Sequence, residues 1–139
     1  MAKIKILTII LEWCDGEFSG YLKESEFFFT TEEATVTDVT RNLENQLKDY
    51  LIHEGRNSAV WKSITIENVR FRRVYKLGAF FEHFKELIIS AIAMRAGINT
   101  NLVQQYVSGN KRASEAQTKK LEHAIHTLAD QLKKVSLFS

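Results

Sequence analysis

Apolar positions along this chain change their period near residue 77. Before it, one helical stretch over 36–51 apart, they alternate or run together in short blocks, and after it they recur every three to four residues. Residues 3–13 open as an alternation, Lys3-Ile4-Lys5-Ile6, and then become continuously apolar. That predicts a strand whose later half is covered on both faces. Asp15-Gly16 is a hairpin signal, with residues 18–23 as the returning strand. Phe27-Phe28-Phe29 reads as a short third strand or as a plug under the helix that follows.

Thr30-Thr31-Glu32-Glu33 is expected to open that helix, with Thr30 as cap and Glu33 reaching back in a capping box. Val36, Val39, Leu43, Leu47, Tyr50 and Leu51 keep a helical period, and Gly55 is a plausible stop. Residues 35–40 are rich in β-branched side chains, so the start is weaker than the end. Ile64-Thr65-Ile66 and residues 69–74 have strand composition, and arginines at 70, 72 and 73 fit an edge strand. The first module therefore reads β-β-β-α-β. The period changes around Lys76-Leu77-Gly78, which sets the expected boundary: a β/α domain over 1–77 and an all-α domain over 78–139, an α+β chain.

Within the second module the residues fit a helix-turn-helix. Residues 88–95 form a first helix with Ile89, Ile92 and Ala93 inward, and Ala96-Gly97-Ile98-Asn99 form the turn. Gly97 supplies a left-handed backbone, Ile98 plugs the angle between helices, and Asn99 caps the next helix. That second helix runs Thr100–Ser108, buries Leu102, Val103 and Tyr106, and ends at Gly109. Its outer face carries Thr100, Asn101, Gln104 and Gln105. The carboxamides of Asn101, Gln104 and Gln105 offer a donor and an acceptor together, which matches the major-groove edge of adenine, and with Thr100 at the helix N-terminus these four are the expected base readers. Arg95, Asn99, Lys111 and Arg112 flank them as expected phosphate contacts. Beyond, Ser114 and Gln117 form another capping signal for a helix over 116–135. Its apolar stripe (Leu121, Ile125, Leu128, Leu132, Val135) is longer than a small core requires, so a dimer contact and packing against Phe80, Phe81 and Phe84 are both open.

Charge sharpens this division. Residues 1–69 hold 7 Lys and Arg against 12 Asp and Glu, and residues 70–139 hold 12 against 5, a net −5 followed by a net +7. The basic half is the one suited to a polyanion. No apolar run reaches the roughly 18 residues needed to span a bilayer. The basic-then-apolar N-terminus lacks a small-residue cleavage site and is read as a strand rather than a signal peptide. A single cysteine, Cys14, cannot form an internal disulfide, which fits a cytoplasmic location. Glu12, Asp15 and Glu17 cluster, but more simply as a solvated hairpin than as ligands for Mg²⁺. His123 and His126 sit at i and i+3 without a third ligand in place. The chain is therefore read as a non-enzyme without a cofactor.

The stretch 88–137, IISAIAMRAGINTNLVQQYVSGNKRASEAQTKKLEHAIHTLADQLKKVSL, resembles the Xre-type helix-turn-helix at the end of HicB-like antitoxins of the Bacteroidetes type. The lead-in VRFRRVYKLGAFFEHF (residues 69–84) has the same strand-to-helix character. The β-β-β-α-β order, with Thr31-Glu32-Glu33-Ala34, is similar to that family's partial ribonuclease-H-like domain. The likeness spans nearly the whole chain, more closely in its C-terminal part. It departs from the family pattern in lacking proline near Ala113 and in carrying Phe27-Phe28-Phe29 where glycine is usual. The resemblance implies a homodimer or higher homo-oligomer that represses its own operon on a palindromic double-stranded DNA site. It also implies a small RNA-cleaving HicA-like toxin as partner. The competing reading is a protein-binding module that caps a toxin without binding DNA.

Overall fold

The computed structural model describes residues 3–139. Its elements are β1 (Lys5–Cys14), β2 (Glu17–Lys23), β3 (Phe28–Glu33), α1 (Val36–Ile52), β4 (Val69–Tyr75), α2 (Leu77–His83), α3 (Ile89–Ala96), α4 (Thr100–Ser108) and α5 (Glu115–Lys133). The chain is α+β, a four-stranded sheet module followed by helices. It divides into two compact units, Met1–His83 and Phe84–Ser139. That division falls six residues beyond the boundary expected at residue 77, and the difference is α2. Ala79 is buried in the core of the first unit, and the Lys76 N–H donates to the Leu11 carbonyl at 2.9 Å, which ties the start of α2 to the sheet.

The sheet order is β3-β2-β1-β4. β1 and β2 form the expected hairpin, closing at Cys14↔Glu17. Asp15 (φ 52°) and Gly16 (φ 81°) are both left-handed, the type I′ geometry whose twist matches the flanking strands. β3 pairs antiparallel with β2, and β4 pairs parallel with β1 from Lys5↔Val69 to Leu11↔Tyr75. β4 is thus an edge strand, as its arginines anticipate.

Period-2 alternation sends Leu7, Ile9, Leu11, Phe18 and Leu22 to one face, where the stripe Val36, Val39, Leu43, Leu47 and Tyr50 of α1 covers them. Phe27 is the plug and Phe28 begins the strand, so both readings of the phenylalanine run are realised. Phe27 stacks on Phe29 (4.4 Å between centroids) and meets Trp61 (5.2 Å) and Tyr50 (4.9 Å). Ser58, buried beneath them, donates to Glu26 at 2.8 Å and accepts from the Val60 and Trp61 N–H groups, which fixes the loop carrying Trp61.

Three local expectations fail. Thr30-Thr31-Glu32-Glu33 does not open the helix: it is strand, paired with residues 18–21 of β2. The β-branched threonines suit that ladder, and Glu33 is occupied by Thr31 (2.6 Å) and Asn42 (3.2 Å). The cap is Thr35, whose hydroxyl accepts from the Asp38 N–H at 3.1 Å. Gly55 does not end α1, which stops at Ile52; it lies in a 3₁₀ turn, Glu54–Asn57, close against Tyr50. Ile64-Thr65-Ile66 is not strand either. Thr65 and Asn68 instead bond each other across a 3₁₀ turn at Ile66–Asn68.

One contact sets how closely α1 approaches the sheet. A Cβ on Gly20 would run into Cγ1 of Val39, and Leu11 and Leu43 close the space on either side. Val39 and its neighbours are fully buried, and a β-branched side chain has little rotamer freedom with which to yield. Gly20→Ala is expected to destabilise the first unit by about 1–3 kcal/mol in urea unfolding. Adding Val39→Ala should recover part of that loss, giving non-additivity in the double-mutant cycle.

Candidate nucleic-acid interface

The second unit is three helices around a small core. Ile92 and Ala93 of α3, Ile98 of the turn, Val103 of α4, and Leu121 and Ala124 of α5 are its buried side chains. α3 packs on both α4 and α5. Ala93 is fully buried, and its small side chain suits a position where α3 meets its neighbours.

The turn works through backbone chemistry. Gly97 is left-handed (φ 72°, ψ 30°). Its N–H reaches the Met94 carbonyl at 3.1 Å, and the Ile98 N–H reaches the Ala93 carbonyl at 3.0 Å. These two bonds satisfy carbonyls left open at the end of α3, and they form a Schellman motif with Ile98 buried as its apolar partner. Asn99 then caps α4, its side-chain oxygen accepting from the Asn101 N–H at 2.9 Å. α4 spans the predicted Thr100–Ser108 and ends at Gly109, again left-handed (φ 84°). Val103 is buried, while Leu102 and Tyr106 are half-buried. Ser114 caps α5 through the Gln117 N–H at 3.2 Å.

Asn101, Gln104 and Gln105 all lie exposed on α4, and among the described residues none of their carboxamides is hydrogen-bonded within the chain. Thr100 differs from the outward position expected of it: it is half-buried at the first turn of α4. Lys111 and Arg112 are exposed and form no ion pair among the described residues. The Lys111 N–H donates to the Gln105 carbonyl at 3.1 Å, which holds the basic pair beside the C-terminal end of α4. The Asn99 oxygen is spent on the cap, and its amide N–H₂ forms no hydrogen bond among the described residues. One N–H of the Arg95 guanidinium donates to Gln131 of α5 at 3.0 Å, and the side chain stays exposed. That partner, 36 positions away, has no local sequence signal. From residue 87 to 114 the chain has Arg95, Lys111 and Arg112 and no Asp or Glu, so no fixed negative charge on this stretch opposes a phosphate.

Residues weighed for other chemistry are placed differently. Glu12 is ion-paired with Lys76. Among the described residues no group of three His, Cys, Asp or Glu is placed to hold a metal ion, and His123 and His126 are exposed. The Asp15 carboxylate beside Cys14, through its charge and then its hydrogen bond, raises the thiol pKa above its ordinary value, away from the reactive thiolate. Among the described residues no helix is long and apolar enough to cross a membrane. No protein-family model, curated protein or solved structure matches the chain.

Nothing lies within 4 Å of a Cβ built on Gly97, so a substitution there meets only the backbone preference. Gly97→Ala is expected to cost about 1–2 kcal/mol, and Gly97→Asn less, because asparagine tolerates the left-handed region. Asn99→Ala should cost about 1 kcal/mol through loss of the cap. Thermal unfolding of the three variants, followed by circular dichroism, checks the ranking.

Proposed function

We propose that the Phe84–Ser139 unit binds double-stranded DNA, laying α4 in the major groove with Asn101, Gln104 and Gln105 against base edges. The observation that carries this reading is the exposed row of unengaged carboxamides on a helix fixed at both ends by left-handed glycines. Side chains that must match base edges have to be presented from a rigid element, and α4 is held by the turn at Gly97, the Asn99 cap and the buried Val103. Lys111, Arg112 and the Asn99 amide are suited to phosphates, which position the helix without reading sequence. Thr100, half-buried, is suited to the backbone or a thymine methyl more than to a bidentate contact.

The resemblance to HicB-like antitoxins supports a fuller role: a cytoplasmic dimer repressing its own operon from a palindromic site, with the first unit holding a HicA-like toxin. A second reading, toxin capping without DNA binding, is favoured by one feature of the first unit. The sheet face opposite α1 leaves Ile6 and Phe28 exposed, with Arg70 level with Ile6 and Lys23 level with Phe28. Such a face suits an apolar contact with a protein partner.

Salt separates the two readings. Phosphate-dominated binding weakens steeply as salt rises, because counterions are released from the DNA, while an apolar protein contact does not. In gel-shift assays on the protein's own promoter, Gln105→Ala and Asn101→Ala are expected to lose about 1–3 kcal/mol of discrimination between promoter and unrelated DNA. Arg112→Ala should weaken both DNAs about equally and flatten the salt dependence. Retention unchanged by all three substitutions would sink the DNA-binding reading.

A further inference from the structure

The register of the strands arranges the sheet face opposite α1 in rows. One row crosses the sheet as Thr30, Tyr21, Ile10 and Val74. The next, two residues along, sets Phe28 beside Lys23 and Thr8 beside Arg72. Tyr21 and Phe28 are diagonal neighbours, and their rings stack with centroids 5.7 Å apart and planes 27° from parallel. Tyr21 is half-buried and steadies Phe28, which is 58% exposed.

The charge beside this aromatic pair is positive, although the first unit as a whole is acidic. Many of its carboxylates belong to the helical side: Asp38, Glu44 and Asp49 pair with neighbours on α1, and Glu33 accepts from Asn42 of α1. On the open face Glu12 is paired with Lys76. Glu17 and Glu32 stand toward the hairpin end, Glu32 four residues along β3 from Phe28, which is about 13 Å of strand. Lys23 and Arg72 are exposed, and their side chains form no hydrogen bond or ion pair among the described residues. Arg70, one row further on, donates to the Glu67 and Val69 carbonyls, and among the described residues no carboxylate pairs with it.

We propose that this face binds single-stranded RNA, with a base stacked on Phe28 and the backbone led across Lys23 toward Arg72 and Arg70. An unpaired base has a free π-face, and an exposed aromatic ring held on a strand gives it a platform. Unpaired cations beside the ring neutralise the phosphates on either side of that base. The sheet fixes their spacing, because neighbouring strands lie about 4.8 Å apart. Lys23 is one strand from Phe28, and Arg72 is on the far edge of the same sheet. The hydroxyls of Thr8 and Thr30 lie on the same rows and form no hydrogen bond among the described residues. They are suited to the ribose 2′-OH, which both donates and accepts and which DNA lacks. A protein contact through Ile6 and Phe28 accounts for the apolar side chains alone, whereas RNA accounts for the rings and the cations together. The proposal uses no residue of α4 and stands apart from the DNA-binding reading.

Fluorescence anisotropy of a labelled oligouridylate of about 12 nucleotides, titrated with the full chain, tests it. The wild type is expected to bind this strand more tightly than its deoxy counterpart, and about tenfold more tightly than the same strand annealed to oligoadenylate. Phe28→Ala and Phe28→Leu should each weaken binding about tenfold or more, and Phe28→Trp should retain it. Lys23→Ala with Arg72→Ala should lower affinity and flatten the salt dependence. These positions are exposed, so circular dichroism and the unfolding midpoint of each variant should match the wild type. Arg112→Ala, in the second unit, should leave oligouridylate binding within about twofold, because its phosphate contact belongs to the other unit. An oligouridylate that does not bind overturns the proposal. So does binding that is lost with Arg112→Ala and indifferent to Phe28→Ala, or a duplex held as tightly as the single strand. A deoxy strand bound equally well overturns the choice of RNA. A Phe28→Ala chain that keeps the oligonucleotide but loses a co-purifying protein makes the face a protein contact and refutes RNA binding there.

Discussion

The direction of α4 depends on one residue in the left-handed region. Gly97 reverses the backbone within a single step, and the two hydrogen bonds that follow return the chain to helix after Asn99. Everything presented outward by α4 inherits its orientation from that step. Sterically the position is undemanding, with open space where a side chain would be. The constraint is conformational, and so it is legible as a glycine. Ile98 turns a local bend into a tertiary one by burying itself where α3, α4 and the turn converge. A bend without that anchor would leave the angle between helices free.

The same physics explains what could be read in the sequence. The limits of α4 are legible because its two ends are set by local chemistry, a cap at Asn99 and a glycine at Gly109, and its interior by a clear period at Val103 and its neighbours. Local rules fail where a distant partner decides. Thr30-Thr31-Glu32-Glu33 carries a plausible helix-start pattern, yet the ladder with β2 claims those residues, and the helix waits for Thr35. Ile64-Thr65-Ile66 has strand composition with no free strand beside it, and a side-chain bond between Thr65 and Asn68 organises a turn there instead. Arg95 reads from sequence as a phosphate contact, and its bond to Gln131 is a partner that no local pattern shows. Thr100 precedes the outward carboxamides in sequence but half-buries at the first turn. For residues 30–33 and for Arg95 the missing information is a contact far along the chain, and for Thr65 it is a side-chain bond three residues on.

The two units also use glycine differently. In the second, glycine provides backbone conformations that other residues adopt at a cost. In the first, Gly20 provides absence: it is an ordinary strand residue whose missing side chain makes room for Val39. The first use leaves a recognisable signal between two helices. The second is invisible in a strand until the helix above it is known, because only packing reveals that a methyl group would not fit.

The pairing of β1 with β4 has a consequence for how the chain is made. Lys5 finds its partner Val69 only after 64 further residues have been synthesised, whereas α3, α4 and α5 need only their near neighbours. Until β4 arrives, β1 has an open hydrogen-bonding edge and a nearly continuous apolar sequence, the combination most prone to intermolecular association. Non-local pairings of this kind form slowly because loop closure precedes any gain from the contact. The first unit is therefore the slow and vulnerable part of biogenesis, and β4 is the strand that ends its exposure. Its arginines Arg70 and Arg72 leave the finished sheet with a charged margin in place of an adhesive one.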